Sequence, residues 1–125
     1  MKSLSPNIFV NDLSATITFY TKLGFTLADE VTSPHGEKVF AMMNNGSVTF
    51  MFQTFTSITG LHPMVSRING GSLLLYIRVG NIRQYYDQLK DQVTMLTGLE
   101  KTFYGATEFS ICDNNNYLLT FAEHE

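Results

Sequence analysis

Cysteine is almost missing from this chain: Cys112 stands alone among 125 residues. A single thiol forms no internal disulfide, so a disulfide-stapled scaffold is excluded and a reducing cytoplasm is the expected setting. Long apolar runs are missing as well. No stretch approaches the length that spans a bilayer. The opening residues MKSLSP lack the apolar core of a signal peptide, so none is expected. Charge is sparse, at 15% of residues with a formal net charge of −3. Lys and Arg are scattered rather than clustered, which offers no basic footprint for nucleic acid. Low-complexity segments are also absent. What the chain does have is 44% hydrophobic residues, enough for one compact domain over 1–125.

The organising stretch is Asn7 to Phe25, NIFVNDLSATITFYTKLGF. Asn7 to Val10 is an apolar, β-branched and aromatic run that suits a strand. Asp12 offers a side-chain oxygen to the first free N–H groups of a helix. Leu13, Ile17, Tyr20 and Leu23 then recur at helical spacing, and Gly24 suits the left-handed residue that ends a helix. The pattern returns later. Tyr76 to Val79 predicts a second strand, Asn81 a second cap, and Ile82, Tyr85, Tyr86, Leu89 and Val93 a second apolar stripe. A constant offset of 69 pairs Val10 with Val79 and Asp12 with Asn81. Carried on, it pairs Phe40 with Phe109, Asn44 with Asp113 and Phe52 with Phe121. The expectation is an α+β fold of two β-α-β-β-β copies, repeat one over about 4–56 and repeat two over about 71–125, which must pack together to bury their sheets.

The remaining elements follow in order. Thr26 to Val31 predicts a strand, Thr32 to Gly36 a loop, and Lys38 to Met43 a strand. Asn44-Asn45-Gly46 marks a hairpin turn before a returning strand from Ser47 to Phe55. A crossing over about 57–70 contains Gly60, Pro63 and Gly70-Gly71, the last read as a flexible entry to the second copy. In that copy the helix runs to about Gln92 and a strand covers Val93 to Thr97. Thr102 to Gly105 is a loop, Glu108 to Cys112 a strand, Asp113 to Asn116 a turn, and Tyr117 to Ala122 the last strand.

Three sets of residues together resemble the vicinal oxygen chelate superfamily of glyoxalases, bleomycin-resistance proteins and extradiol dioxygenases. They are Val10-Asn11-Asp12-Leu13 with Phe19-Tyr20 and Leu23-Gly24-Phe25, Asn44-Asn45-Gly46 before a strand, and Asp113-Asn114-Asn115-Asn116-Tyr117 near the end. The closing turn of that family ordinarily holds proline and glycine where this chain has Asn114 and Asn116. The resemblance implies a cupped sheet from each copy, the two cups facing each other, and a ligand in the cup, often completed across a homodimer. In metal-dependent relatives, four inward strand positions hold His, Glu or Gln. Alignment on the motifs places these at Ser5, Met51, Leu74 and Thr120. A divalent ion needs His, carboxylate or thiolate donors, and this set supplies none. The family's metal site is therefore expected to be missing, and no cofactor is expected.

Alternation puts Asn7 and Phe9 on the face of Ser5, Gln53 on that of Met51, and Tyr76 and Arg78 on that of Leu74. The candidate ligand-contacting residues are Phe9, Met51, Gln53, Leu74, Tyr76 and Thr120, with Tyr104, beside Phe103, as a rim or lid. The bland alternative is that these side chains fill a closed core. His35, His62 and His124 read as solvated loop residues, although a metal site could be imagined from His62, Glu108 and a partner loop. Cys112 reads as a small buried hydrophobe with no neighbour to activate it. No catalytic residue is assigned. The expected function is a metal-free protein that binds an apolar or aromatic small molecule, such as an antibiotic or metabolite, as a cytoplasmic homodimer. The alternative is a metal-dependent lyase, isomerase or dioxygenase of the same superfamily.

Overall fold

A computed structural model describes residues 1–58 and 64–125. The chain forms two compact units, Met1–Asn69 and Gly70–Glu125. The first contains β1 (Asn7–Val10), α1 (Leu13–Lys22), β2 (Thr26–Thr32), β3 (Lys38–Asn45) and β4 (Val48–Thr54), then a short 3-10 turn at Phe55–Ile58. The second contains β5 (Leu74–Arg78), α2 (Ile82–Leu89), β6 (Met95–Lys101), β7 (Ala106–Cys112) and β8 (Leu118–His124). Each unit is a four-stranded mixed sheet, ordered β1-β4-β3-β2 and β5-β8-β7-β6. The first and last strand of each copy run parallel, so the helix between strands one and two is part of a crossover connection. Among the described residues, no helix is long and apolar enough to cross a membrane.

In the first unit α1 covers one face of the sheet. Leu13, Tyr20 and Leu23 are buried with Ile8, Val10, Ala41, Met43, Phe50 and Phe52. Tyr20 is the centre of this core: its ring lies 4.7 Å from Phe52, 5.5 Å from Phe50 and 5.6 Å from Phe25. Burying each such side chain contributes about 1.5–3 kcal/mol. Thr16 is also fully buried, deeper than the expected Ile17, and its hydroxyl donates to Asp12 O at 2.8 Å. Asp12 caps as expected, accepting from Ala15 N at 3.0 Å. Gly24, at φ +98, turns the chain out of the helix, and an added Cβ there would meet the Asn45 side chain at 3.1 Å.

The second unit solves the capping problem differently. Asn81 sits at φ 52 and makes no side-chain cap bond, contrary to expectation. From that left-handed backbone its amide does not reach the helix N–H groups. Glu123 on β8 supplies the acceptor instead: Oε2 takes Asn81 N at 2.9 Å and Oε1 takes Ile82 N at 3.3 Å. A carboxylate against a helix N-terminus also complements the helix dipole.

The hairpins differ by one residue. Met42 faces Met51, but Ser110 faces Thr120, so the second copy holds one residue more between equivalent partners. The offset of 69 holds for β1, β4, β5 and β8 and fails for β7. Ala41, not Phe40, occupies the place of Phe109: both are fully buried, opposite Phe52 and Phe121 respectively. The first hairpin turns at Gly46-Ser47, one residue later than expected. The second is tied by Asp113 Oδ1, which accepts from Asn115 N at 2.8 Å and Tyr117 N at 2.9 Å. Asn116 stands at φ 65, a left-handed backbone that asparagine tolerates. Gly70 lies in a close approach to the closing turn. At φ +85, an added Cβ would lie 2.7 Å from Asn116 O. Other boundaries also move: α2 ends at Leu89 rather than Gln92, and β6 begins at Met95 rather than Val93.

Glu123→Ala should cost about 1 kcal/mol, the scale of a lost helix cap, and lower the melting temperature by several degrees. Glu123→Gln should fall between, since it keeps an acceptor and loses the charge. Thermal unfolding followed by circular dichroism measures both.

Candidate functional site

Packing each helix on one sheet face assigns alternate residues to the other. In the second unit Ile77, Leu119, Phe121, Phe109 and Ile111 are buried. The opposite face carries Leu74 and Tyr76 from β5, Thr120, Ala122 and His124 from β8, and Glu108 and Ser110 from β7. Leu74 and Tyr76 are 45% and 44% exposed.

A hydrogen-bonded cluster gathers on this face. The Tyr76 hydroxyl donates to Glu108 Oε2 at 2.7 Å, and the Tyr104 hydroxyl donates to the same oxygen. His124 Nε2 lies 2.9 Å from the Tyr76 oxygen, with the two rings edge to face. The Tyr76 proton is committed to Glu108, which leaves its oxygen to accept from Nε2–H. Register explains the meeting. Glu108 faces Ala122, which also pairs with Arg78 on β5, and the small, buried Ala122 lets side chains from β5 and β7 join across β8. Tyr104 arrives from the 102–105 loop, which is closed by Thr102 N to Ala106 O at 2.8 Å and by Ala106 N to Thr102 Oγ1 at 3.0 Å. Phe103 beside it is fully exposed.

Electrostatics follow from the shared acceptor. The Glu108 carboxylate holds the phenol proton of Tyr76 and pushes its pKa up to about 12, and it raises Tyr104 in the same way. Thr120 sits beside this cluster. It is 5% exposed, and its hydroxyl is shared with that of Ser110 at 2.8 Å. Burial and then Asp113 push the thiol of half-buried Cys112 up, away from the thiolate needed for reactivity.

The corresponding face of the first unit carries Phe9, Met51 and Gln53. Asn7 Nδ2 donates to Gln53 Oε1 at 3.0 Å. Phe9 stacks near Phe55, ring centres 6.1 Å apart, and Arg67 lies 5.7 Å over the Phe55 ring. Of the residues expected at the site, Phe9 and Gln53 are register partners on neighbouring strands. Tyr76 and Thr120 are likewise partners, and Tyr76 and Tyr104 meet through Glu108.

The four positions expected from the resemblance to match chelating residues supply no imidazole, carboxylate or thiolate. Ser5 and Thr120 offer hydroxyls, Met51 a thioether and Leu74 nothing. Among the described residues, no three His, Cys, Asp or Glu side chains gather. His62 lies outside the described residues, and His35 is exposed. His124 is not a loop residue; it closes β8. A hollow of about 340 Å³ lies at the start of α2, lined by Asn81, Ile82, Arg83, Gln84, Thr107 and Glu123. It touches none of the expected site residues, and Glu123 already fills the anion position there.

Sequence reasoning missed Glu108 as the hub and His124 as its neighbour. Extending the alternation of β8 by two residues reaches His124, and applying it to β7 places Glu108 beside Ser110.

The family model for the glyoxalase, bleomycin resistance protein and dioxygenase superfamily matches residues 3–121. The chain belongs to that superfamily. Solved structures with the same fold include a glyoxalase/bleomycin resistance protein/dioxygenase from Nocardioides, 17% identical over 99% of this chain and 84% of that one, with a TM-score of 0.76. A bleomycin resistance determinant encoded on transposon Tn5 is 20% identical over 100% and 99%, with a TM-score of 0.69. A bleomycin-binding protein complexed with bleomycin is 20% identical over 100% of both chains, with a TM-score of 0.65. No curated protein matches the chain in sequence.

Glu108→Gln should return the Tyr76 pKa from about 12 toward its ordinary 10.0. The raised value means that the Tyr76–Glu108 contact favours the fold below pH 10 and is lost as pH rises to about 12. Ultraviolet titration of tyrosinate in both proteins, with Tyr76→Phe to assign the transition, reads the change.

Proposed function

We propose that this superfamily member is a small-molecule-binding protein that holds an organic ligand with an aromatic or apolar body, without a metal ion at the family's four chelating positions. The observation that carries the reading is the solvent exposure of Leu74, Tyr76 and Tyr104 around a polar anchor, Glu108. Exposed aromatic and apolar groups with a few convergent polar atoms are the composition of a ligand site. Leu74, Tyr76, Tyr104 and Thr120 are the contacts on the second sheet, and Phe9, Met51 and Gln53 line the corresponding face of the first sheet. The bleomycin-binding relative supports a ligand of antibiotic size. Exposed Leu73, Leu74 and Leu96 favour a homodimer, and the unpaired Cys112 favours a cytoplasmic setting.

The test is thermal unfolding with bleomycin and with a panel of aromatic small molecules. A ligand at a hundred times its dissociation constant stabilises the fold by about 2.7 kcal/mol, a rise on the order of 10 °C for a chain of this size. Leu74→Asp, at an exposed position, should keep the fold and remove most of that rise. No rise with any probe would overturn the reading, and an undiminished rise in Leu74→Asp would remove this face from it.

A further inference from the structure

The phenols, carboxylate and imidazole on the open face of the second unit satisfy one another, and one charged side chain beside them is left over. Arg78 closes β5, is exposed, and stands on the same face as Leu74 and Tyr76. Among the described residues, the ion pairs join Lys38 to Glu30, Lys90 to Asp87 and Lys101 to Glu125. The Arg78 guanidinium has no ion-pair or side-chain hydrogen-bond partner among them. We propose that Arg78 anchors a ligand carboxylate, and that the ligand of this face is an aromatic monocarboxylic acid. The inference rests on the reading that this face binds an organic molecule, and it names the chemical class.

Strand register sets the charges in a row. Arg78 pairs with Ala122, Ala122 with Glu108, and Glu108 with Glu100. Positive charge therefore stands at the β5 edge, and negative charge on β7 and β6. Strands spaced 4.7–4.9 Å apart put the backbones of Arg78 and Glu108 about 10 Å from each other. Glu108 is held instead by the hydroxyls of Tyr76 and Tyr104, so the charge of Arg78 stays available.

The chemistry of the row selects the ligand. A guanidinium is planar, always charged, and matches a carboxylate with two parallel hydrogen bonds. Same-face neighbours on a strand lie about 6.6 Å apart. A bicyclic aromatic body can therefore rest on exposed Leu74 and Tyr76 while its acid reaches Arg78. Glu108 and Glu100 repel a second negative charge, which favours a monoacid over a diacid and turns the acid end toward β5.

The experiment is isothermal titration calorimetry of the full chain with three probes that share one ring system: naphthylacetate, naphthylacetamide and naphthylethylamine. At low ionic strength the acid should bind about tenfold tighter than the amide, the scale of one hydrogen-bonded charge pair. The amine should bind no tighter than the amide. Added salt should narrow the gap between acid and amide, since the pair is exposed to solvent. Arg78→Gln should close the gap by weakening the acid alone. Arg78→Lys should keep part of it, because an ammonium lacks the planar fork. Circular dichroism confirms the fold of both variants, and the salt series needs no variant. Equal affinity for acid and amide, tighter binding of the amine, or a gap that survives Arg78→Gln would each overturn the inference and leave the face as a binding site. Binding of none of the three probes overturns it too, whereas the reading of the face itself fails only if bleomycin and the wider panel also give no thermal rise.

Discussion

Each unit is built on a helix seated against one face of a four-stranded sheet. Tyr20 with Phe25, Phe50 and Phe52 locks that seat in the first unit, and Tyr85 and Tyr86 with Phe109 and Phe121 occupy it in the second. Because strand side chains alternate, seating the helix fixes the opposite face at the same moment. Every candidate site residue on a strand lies on that opposite face. A slip of one residue in β5 or β7 would turn Tyr76 or Glu108 toward the core and expose a core residue, so hydrophobic burial is what holds the polar cluster in register.

Two internal copies reach the same architecture with different local chemistry. The first helix is capped by its own Asp12, the second by Glu123 from β8. The first hairpin turns on two residues, while the second is organised by Asp113 and a left-handed Asn116. The extra residue in the second hairpin shifts β7 against its counterpart β3, and that shift sets which β7 side chains face Tyr76. Ala122 completes the arrangement: fully buried and small, it lets phenol and carboxylate meet over its strand. Ser5, Met51, Leu74 and Thr120 carry hydroxyls, a thioether and an alkyl group, and the ionisable Tyr76, Glu108 and His124 stand at other positions of the second sheet.

Much of this was legible from residues alone. The period of Leu13, Tyr20 and Leu23, the cap at Asp12 and the repeat pairing of Val10 with Val79 predict both sheets and both helices, because hydrophobic spacing and capping are local signals. Asn81 was misleading because a cap residue is recognised by its type, whereas its function depends on a backbone angle that the type does not set. Phe40 was matched to Phe109 because a constant offset cannot register a hairpin one residue longer. Tyr76 was legible from strand alternation with Leu74, and Tyr104 as a loop aromatic beside Phe103. Glu108 and His124 were not, since their partners are remote in sequence and adjacent only across strands.

The sequence by itself determined the superfamily, the two β-α-β-β-β copies and the lack of imidazole, carboxylate or thiolate groups at Ser5, Met51, Leu74 and Thr120. Each of these is written in residue type and short-range period. Only the tertiary structure decided that two phenols, a carboxylate and an imidazole share one hydrogen-bonded centre. The reason is that strand pairing is nonlocal: hairpin length and core burial choose which residues stand opposite each other, and neither can be read at the positions that meet.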